Sequence, residues 1–350
     1  MNHILTLIYF IFILGIIILV HEFGHFIFAK MFGVYVYEFS LGMGPKIFSK
    51  KSKKGETEYC IRAIPIGGFV QLAGEEVEDD KKIPKNRKIY SKPVWQRFLI
   101  MFFGAGNNFI LAFLLLFFFA LFFKAPVMDP VITEATVGYP AYEAGIRDGD
   151  TVVSINNHKT ITIDDVQLYL TLSSQGKAVN FKLVDTNGID KEVTVMPVKE
   201  KVDDTETYRF GVTFDNGTNK GFVASIKYAC TKFGALYKQM FIVIKSLFTG
   251  DLSLKSLSGP IGIYSIVGQT AEGGIASIMQ LIALLSLNVG FINLIPFPAF
   301  DGGRILFLVI EKIKGSPVSS KTENIIHSIG FILLIMLMLY VTFNDVLRLF

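Results

Sequence analysis

The sequence predicts a multi-pass α-helical membrane protein with four transmembrane helices, a cytoplasmic membrane-associated β-hairpin or sheet, and one extracytoplasmic soluble α+β domain. Three observations predict it. The 350 residues are 51% hydrophobic with a mean hydropathy of +0.48, too apolar for an ordinary soluble enzyme. Long apolar stretches lie near residues 4–29, 98–123, 275–300 and 325–343, each close to the ~20 residues needed to cross a bilayer core. Fourteen Lys or Arg lie between Lys30 and Arg97, which marks that loop as cytoplasmic. The net charge of +4 is weak by itself, and no nucleic-acid partner is expected. Cys60 and Cys230 make neither a disulfide framework nor a C-x-x-C site.

The first membrane helix (residues 1–30) carries His21-Glu22-Phe23-Gly24-His25, a match to the helical H-E-x-x-H zinc motif. Imidazoles at i and i+4 share one helical face, so both can reach one Zn²⁺ at about 2.0–2.1 Å. Glu22 can take a proton from water at such an ion. Residues 4–20 carry no charge, so the motif lies within the apolar stretch. Three ionisable groups are costly there and read as functional; the rival reading is a buried polar cluster that packs helices. The segment lacks a basic leader region and an A-x-A-like cleavage site, so it is expected to be retained. Lys30 sets the cytoplasmic end, about 7–8 Å from His25 along the helix axis. The amino terminus is then expected outside.

The cytoplasmic loop (31–95) has strand-like runs at 34–40, 46–49, 58–63 and 68–72, separated by Gly- and Pro-rich turns. A small sheet beside the zinc helix could hold an unwound substrate along a free edge, or only brace the helices. The candidate substrate-contacting residues there are Ile64, Gly67, Gly68 and Phe69. Residues 75–92 read as a mobile linker or surface helix. The second membrane helix (96–124) contains Asn107 and Asn108 behind Gly104-Ala105-Gly106, read as helix-packing residues.

Residues 128–199 read as the soluble domain, with strands at 179–184 and 192–197 joined at Asn187-Gly188. His158 lies in a turn and is given no role. Within 200–274, residues 222–248 are apolar but punctuated by Lys227, Lys232, Lys238 and Lys245. An amphipathic helix on the outer membrane surface is preferred to a fifth span. The third membrane segment (275–304) is broken by Pro296 and Pro298, backbone tolerated at that depth only inside protein or beside a wet cavity. Basic residues at 304–321 place its end and the loop 305–323 in the cytoplasm. Asp301 therefore emerges at the level of His25 and is the best third metal ligand; its rival reading is an Asp-Gly turn residue. The fourth helix (324–347) returns the carboxyl terminus to the outside, with His327 read as a packing residue without a partner.

The segments His21–His25, Asn293 to Asp301-Gly302 and residues 140–156 together resemble the site-2 protease family of intramembrane zinc metalloproteases, in its bacterial regulated-proteolysis branch with an extracytoplasmic PDZ domain. Residues 104–109 resemble the family G-P-x-x-N-F element, with Ala105 where Pro is usual, and 258–262 resemble another family segment. The resemblance implies zinc held by His21, His25 and Asp301, with Glu22 as general base and Asn293 positioning substrate. It also makes residues 64–69 the core of a membrane-associated β-element. The soluble domain is then PDZ-like, with room for one PDZ domain where larger relatives have two. The implied partners are single-pass membrane proteins such as anti-sigma factors or signal-peptide remnants, membrane lipid, and an upstream site-1-type protease. The implied location is the cell inner (plasma) membrane. A catalytically silent scaffold displaying a PDZ domain, and a metal transporter, are the rival readings. Four costly polar groups in hydrocarbon argue against the first, and their clustering at one end of two spans against the second.

Overall fold

The computed structural model describes residues 3–53, 55–75, 81–173, 176–202, 205–215 and 217–348. Residues 76–80 of the expected linker and Lys54 of an expected turn lie outside them. In chain order the elements are α1 (His3–Met31), β1 (Val36–Lys51), β2 (Glu58–Leu72), α2 (Val94–Phe123), β3 (Ala125–Pro126), β4 (Glu134–Ala135), α3 (Pro140–Glu143), β5 (Thr151–Ile155), β6 (His158–Lys159), α4 (Ile163–Ser173), β7 (Val179–Val184), β8 (Asp190–Val195), β9 (Val198–Val202), β10 (Thr205–Arg209), β11 (Val212–Thr213), β12 (Thr218–Asn219), α5 (Phe222–Thr249), α6 (Pro260–Glu272), α7 (Gly274–Leu294), α8 (Asp301–Lys314) and α9 (Ser320–Leu347). Two compact units result, Met1–Leu115 with Leu254–Phe350, and Leu116–Ser253.

Among the described residues, four helices are long and apolar enough to cross a membrane: α1, α2, α7 and Lys321–Leu347 of α9. An α-helix pairs its interior backbone polar groups within itself, the condition lipid imposes. The end of α1 is closed by Gly33 at φ +70°, with Val34 N–H on Ala29 O at 2.8 Å and Gly33 N–H on Lys30 O at 3.0 Å. This paired closure satisfies the last carbonyls and turns the chain directly into β1.

In the first unit α1 is packed on two sides. Ala29 meets Val34, Val36, Leu72, Ile100 and Met101 at its end, and Ile13 and Ile17 meet Val267 of α6 and Ile278, Leu281 and Ile282 of α7. With no water to exclude between helices in lipid, close backbone approach supplies the packing. Glycines allow it: a Cβ on Gly24 would lie 1.9 Å from Phe103 O, and one on Gly290 would lie 3.0 Å from Ala105 O.

The strand runs expected in the loop after α1 form two bent strands. Residues 38–41 pair with 58–61 on one side and with 68–71 on the other, while 46–51 pair with 58–62. The strand order is therefore 46–51, 58–62, 38–41, 68–72, which leaves 68–72 at an edge. Glu38, at the start of the 38–41 strand, is buried, hydrogen-bonded by Arg62 at 2.7 Å and paired with Lys46 at 2.8 Å. Burial works to raise its pKa, but these two cations prevail and hold it below the usual carboxylate range. The same cations occupy the carboxylates of the Glu38–Glu58–Cys60 cluster, so that donor set needs no metal.

Two helices lie where loop was expected. Helix α6 occupies part of the expected linker 200–274, and the Gly273-Gly274 break, with Gly274 at φ +76°, hides its continuity with α7. Helix α8 occupies much of the expected loop 305–323; it is amphipathic, and Arg97 of α2 grips its Glu311 with both guanidinium arms. The expected third span is helical only to Leu294, because Ile295 precedes Pro296 and is extended at φ −61°, ψ 134°.

The second unit is built on the antiparallel sheet β6-β5-β7-β8. Val152, Ile155, Phe181 and Leu183 face a core with Ile132, Ile146 and Val166. The turn between β7 and β8 places Gly188 at φ +80°. Helix α5 packs on α4, with Lys232 on Asp164 and Lys238 on Asp165, both at 2.8 Å, and Ile242 against the core. Lys232 and Lys238, two of the lysines that punctuate this stretch, are thus engaged within the unit.

Candidate metal centre

Helix α1 presents His21 and His25 one turn apart, with their Nε2 atoms 3.3 Å from each other. Asp301, the first residue of α8, brings its Oδ2 within 3.2 Å of His21 Nε2 and 3.3 Å of His25 Nε2. That oxygen is buried and has no hydrogen-bond partner among the described residues. The proton on His25 is fixed by its surroundings. Nδ1 lies 2.8 Å from Ile100 O, which can only accept, so Nδ1 is the donor and Nε2 carries a lone pair. Electron-rich atoms turned toward one another in a buried place repel unless a cation joins them. Tetrahedral Zn²⁺ with bonds of about 2.0–2.1 Å holds its ligand atoms ~3.3–3.4 Å apart. The three donors would fit such an ion as its ligands.

Helix α2 supplies the surroundings. Besides Ile100 O, it brings Asn108, fully buried, with its amide 3.5 Å from His21 Nδ1. Its Nδ2 faces that nitrogen, and Oδ1 has no hydrogen-bond partner among the described residues. With His21 Nε2 turned to the cluster, Nδ1 bears the proton and needs an acceptor. Rotating the amide by half a turn puts Oδ1 there as that acceptor. Ser286 of α7 holds this part of α2 by donating to Asn108 O at 2.9 Å. Asn108 reads from the sequence as a packing residue; the signal for more is an amide on an apolar helix beside the glycines that meet the zinc helix.

Glu22, Asn293, Gly67, Gly68 and Phe69 line a cavity of about 1080 Å³ together with His21, His25 and Asp301. A Cβ on Gly68 would lie 3.0 Å from Glu22 Cγ and 3.1 Å from Ile18, so the 68–72 edge lies directly against the zinc-motif helix. Asn293 gives one amide proton to Val289 O at 3.0 Å and keeps a second N–H. Ile64 is set apart: it is half exposed and does not line the cavity. It pairs with Met43 across the two strands. His327, expected without a partner, accepts a hydrogen bond from Ala299 N–H at 3.1 Å. His158 stacks on Tyr169, with ring centroids 4.8 Å apart.

Apolar helices with a two-histidine, one-carboxylate cluster beside a strand edge define the class of membrane-embedded metallopeptidases. Residues 9–337 match peptidase family M50, and the chain belongs to that family. It is 33% identical over 422 aligned positions, covering 99% of both chains, to a Bacillus subtilis protein named regulator of sigma-W protease RasP. It is 32% identical over 422 positions, again covering 99% of both, to the zinc metalloprotease RasP of Bacillus licheniformis. The protein is a zinc metalloprotease of the membrane, which sets aside the scaffold and transporter readings.

Proposed function

We propose that the protein hydrolyses peptide bonds inside the transmembrane segments of single-pass membrane proteins, with His21, His25 and Asp301 as zinc ligands and Glu22 as general base. The observation that carries this reading is the mutual 3.2–3.3 Å spacing of three donor atoms within and beside helices apolar enough to span a bilayer. When bound, zinc supplies Lewis acidity toward a carbonyl oxygen and acidifies a water molecule. Glu22 takes the proton of the attacking water and returns it to the leaving amide nitrogen. The free N–H of Asn293 donates to the substrate carbonyl or backbone. A helical substrate hides its carbonyls in i→i−4 bonds, so it unwinds and adds as a strand along residues 68–72. Gly68 brings the backbone of that strand close to Glu22.

The positive-inside distribution supports an orientation with both termini outside and the site toward the cytoplasm. The likeness to a protein named for sigma-W regulation supports membrane-anchored anti-sigma factors as one substrate class, trimmed first by another protease, with signal-peptide remnants as a second. We read residues 128–199 of the second unit as a PDZ-like domain that excludes untrimmed ectodomains.

The test uses the full chain in detergent or liposomes with a single-pass peptide substrate. Glu22→Gln should lower cleavage at least about 100- to 10,000-fold with zinc content unchanged; full activity in that variant would refute the assignment. The same assay with residues 131–198 deleted should admit substrates carrying a folded ectodomain, and unchanged selectivity would remove the filter role.

A further inference from the structure

The third donor stands on an unusual piece of backbone. Between α7 and α8 the chain runs through Pro296 and Pro298, which have no N–H to give, and Ala299, whose φ of +87° is unfavourable for a residue with a Cβ. Such a conformation persists only where its surroundings over-determine it. Helix α9 supplies those surroundings twice. Ala299 N–H donates to His327 Nδ1 at 3.1 Å. One turn further along, Gly330 makes a notch for Pro298, since a Cβ there would lie 2.4 Å from Pro298 O and 2.5 Å from Pro298 Cβ. The His327 ring also rests 5.6 Å from that of Phe307 in α8.

We propose that His327 is a positioning residue for the zinc site. It captures the Ala299 N–H, seats the Pro298–Ala299 turn on α9, and so sets the direction in which Asp301 leaves that turn. The fourth helix, which contributes no donor atom to the cluster, is the template for its third ligand. The inference rests on Asp301 being a zinc ligand. Small displacements of a ligand's support typically cost about 10- to 100-fold in metal affinity.

The test is zinc affinity of the full-length protein, by competition with a chromophoric chelator, alongside kcat and KM for a single-pass peptide. His327→Phe keeps a ring of similar size without an acceptor, and His327→Asn restores an oxygen near the place of Nδ1. The phenylalanine variant should bind zinc about 10- to 100-fold more weakly, with kcat reduced and KM little changed, and asparagine should recover most of both. His327→Leu carries the same comparison should the phenylalanine variant not fold. Wild-type zinc affinity in the apolar variants, or equal loss with asparagine, overturns the proposal. Asp301→Asn separates it from the reading it rests on. Lost affinity in Asp301→Asn beside full affinity in His327→Phe sinks only the positioning role, whereas full affinity in Asp301→Asn sinks the ligand assignment itself.

Discussion

Gly104→Ala is expected to strip the protein of zinc while leaving it folded. A Cβ on Gly104 would lie 2.3 Å from His25 Nε2 and 2.4 Å from its Cε1, well inside van der Waals contact. What it meets is a side chain, so the ring can swing aside and the helices can stay paired. The swing has a chemical consequence, because the ring is tethered by Nδ1 to Ile100 O at 2.8 Å. To clear the methyl group it must give up that bond, the direction of Nε2 toward Asp301, or both. Loss of one of the three proposed ligands should lower zinc affinity by at least about 100-fold, and cleavage with it. Gly15→Ala on α1 is the control, since its Cβ would meet nothing within 4 Å. Metal content after dialysis against a chelator, read beside a thermal unfolding curve, checks this; an alanine variant that kept its zinc would show the ring to be less confined than argued.

Gly24→Ala should do the opposite kind of damage, although Gly24 sits between the two histidines. Its Cβ would lie 1.9 Å from Phe103 O, 2.5 Å from Phe103 C and 2.9 Å from Gly104 N. These are backbone atoms of a helix, and no rotamer relieves them. Helices α1 and α2 must separate by on the order of 1 Å along a close-packed contact, which costs about 3 kcal/mol. The separation also opens the contacts between Phe28 and Phe103, whose rings stack at 3.9 Å. The expected readout is a lower unfolding temperature in detergent and greater protease sensitivity, with zinc loss following from unfolding. An unchanged unfolding temperature would mean that the two backbones are not pressed together at this point.

Much of this molecule is local, and local features are legible in a string of residues. The four apolar stretches, the turn at Asn187-Gly188 and the stop after Lys30 each depend on a few neighbouring residues, and helices and turns stand at those places. Likewise His21 and His25 share a face because a helix repeats every 3.6 residues. Helix α6 was hidden by a Gly-Gly break and α8 by its charges, since each acquires its role from what it packs against. The strand order 46–51, 58–62, 38–41, 68–72 also lies beyond local pattern, because pairing between distant runs leaves no periodic trace in either.

Composition and spacing settle that the chain enters a membrane and that its first helix carries a paired-imidazole motif beside a carboxylate. Long-range packing alone decides that a carboxylate 276 residues from His25 comes within 3.3 Å of it. It decides too that Ile100 O and the Asn108 amide face the backs of the two rings, and that the fourth helix seats the turn before Asp301. The reason is physical. A ligand pair on one helix is set by backbone geometry that every helix shares, whereas the third donor depends on a non-repeating turn shaped by its contacts with other helices.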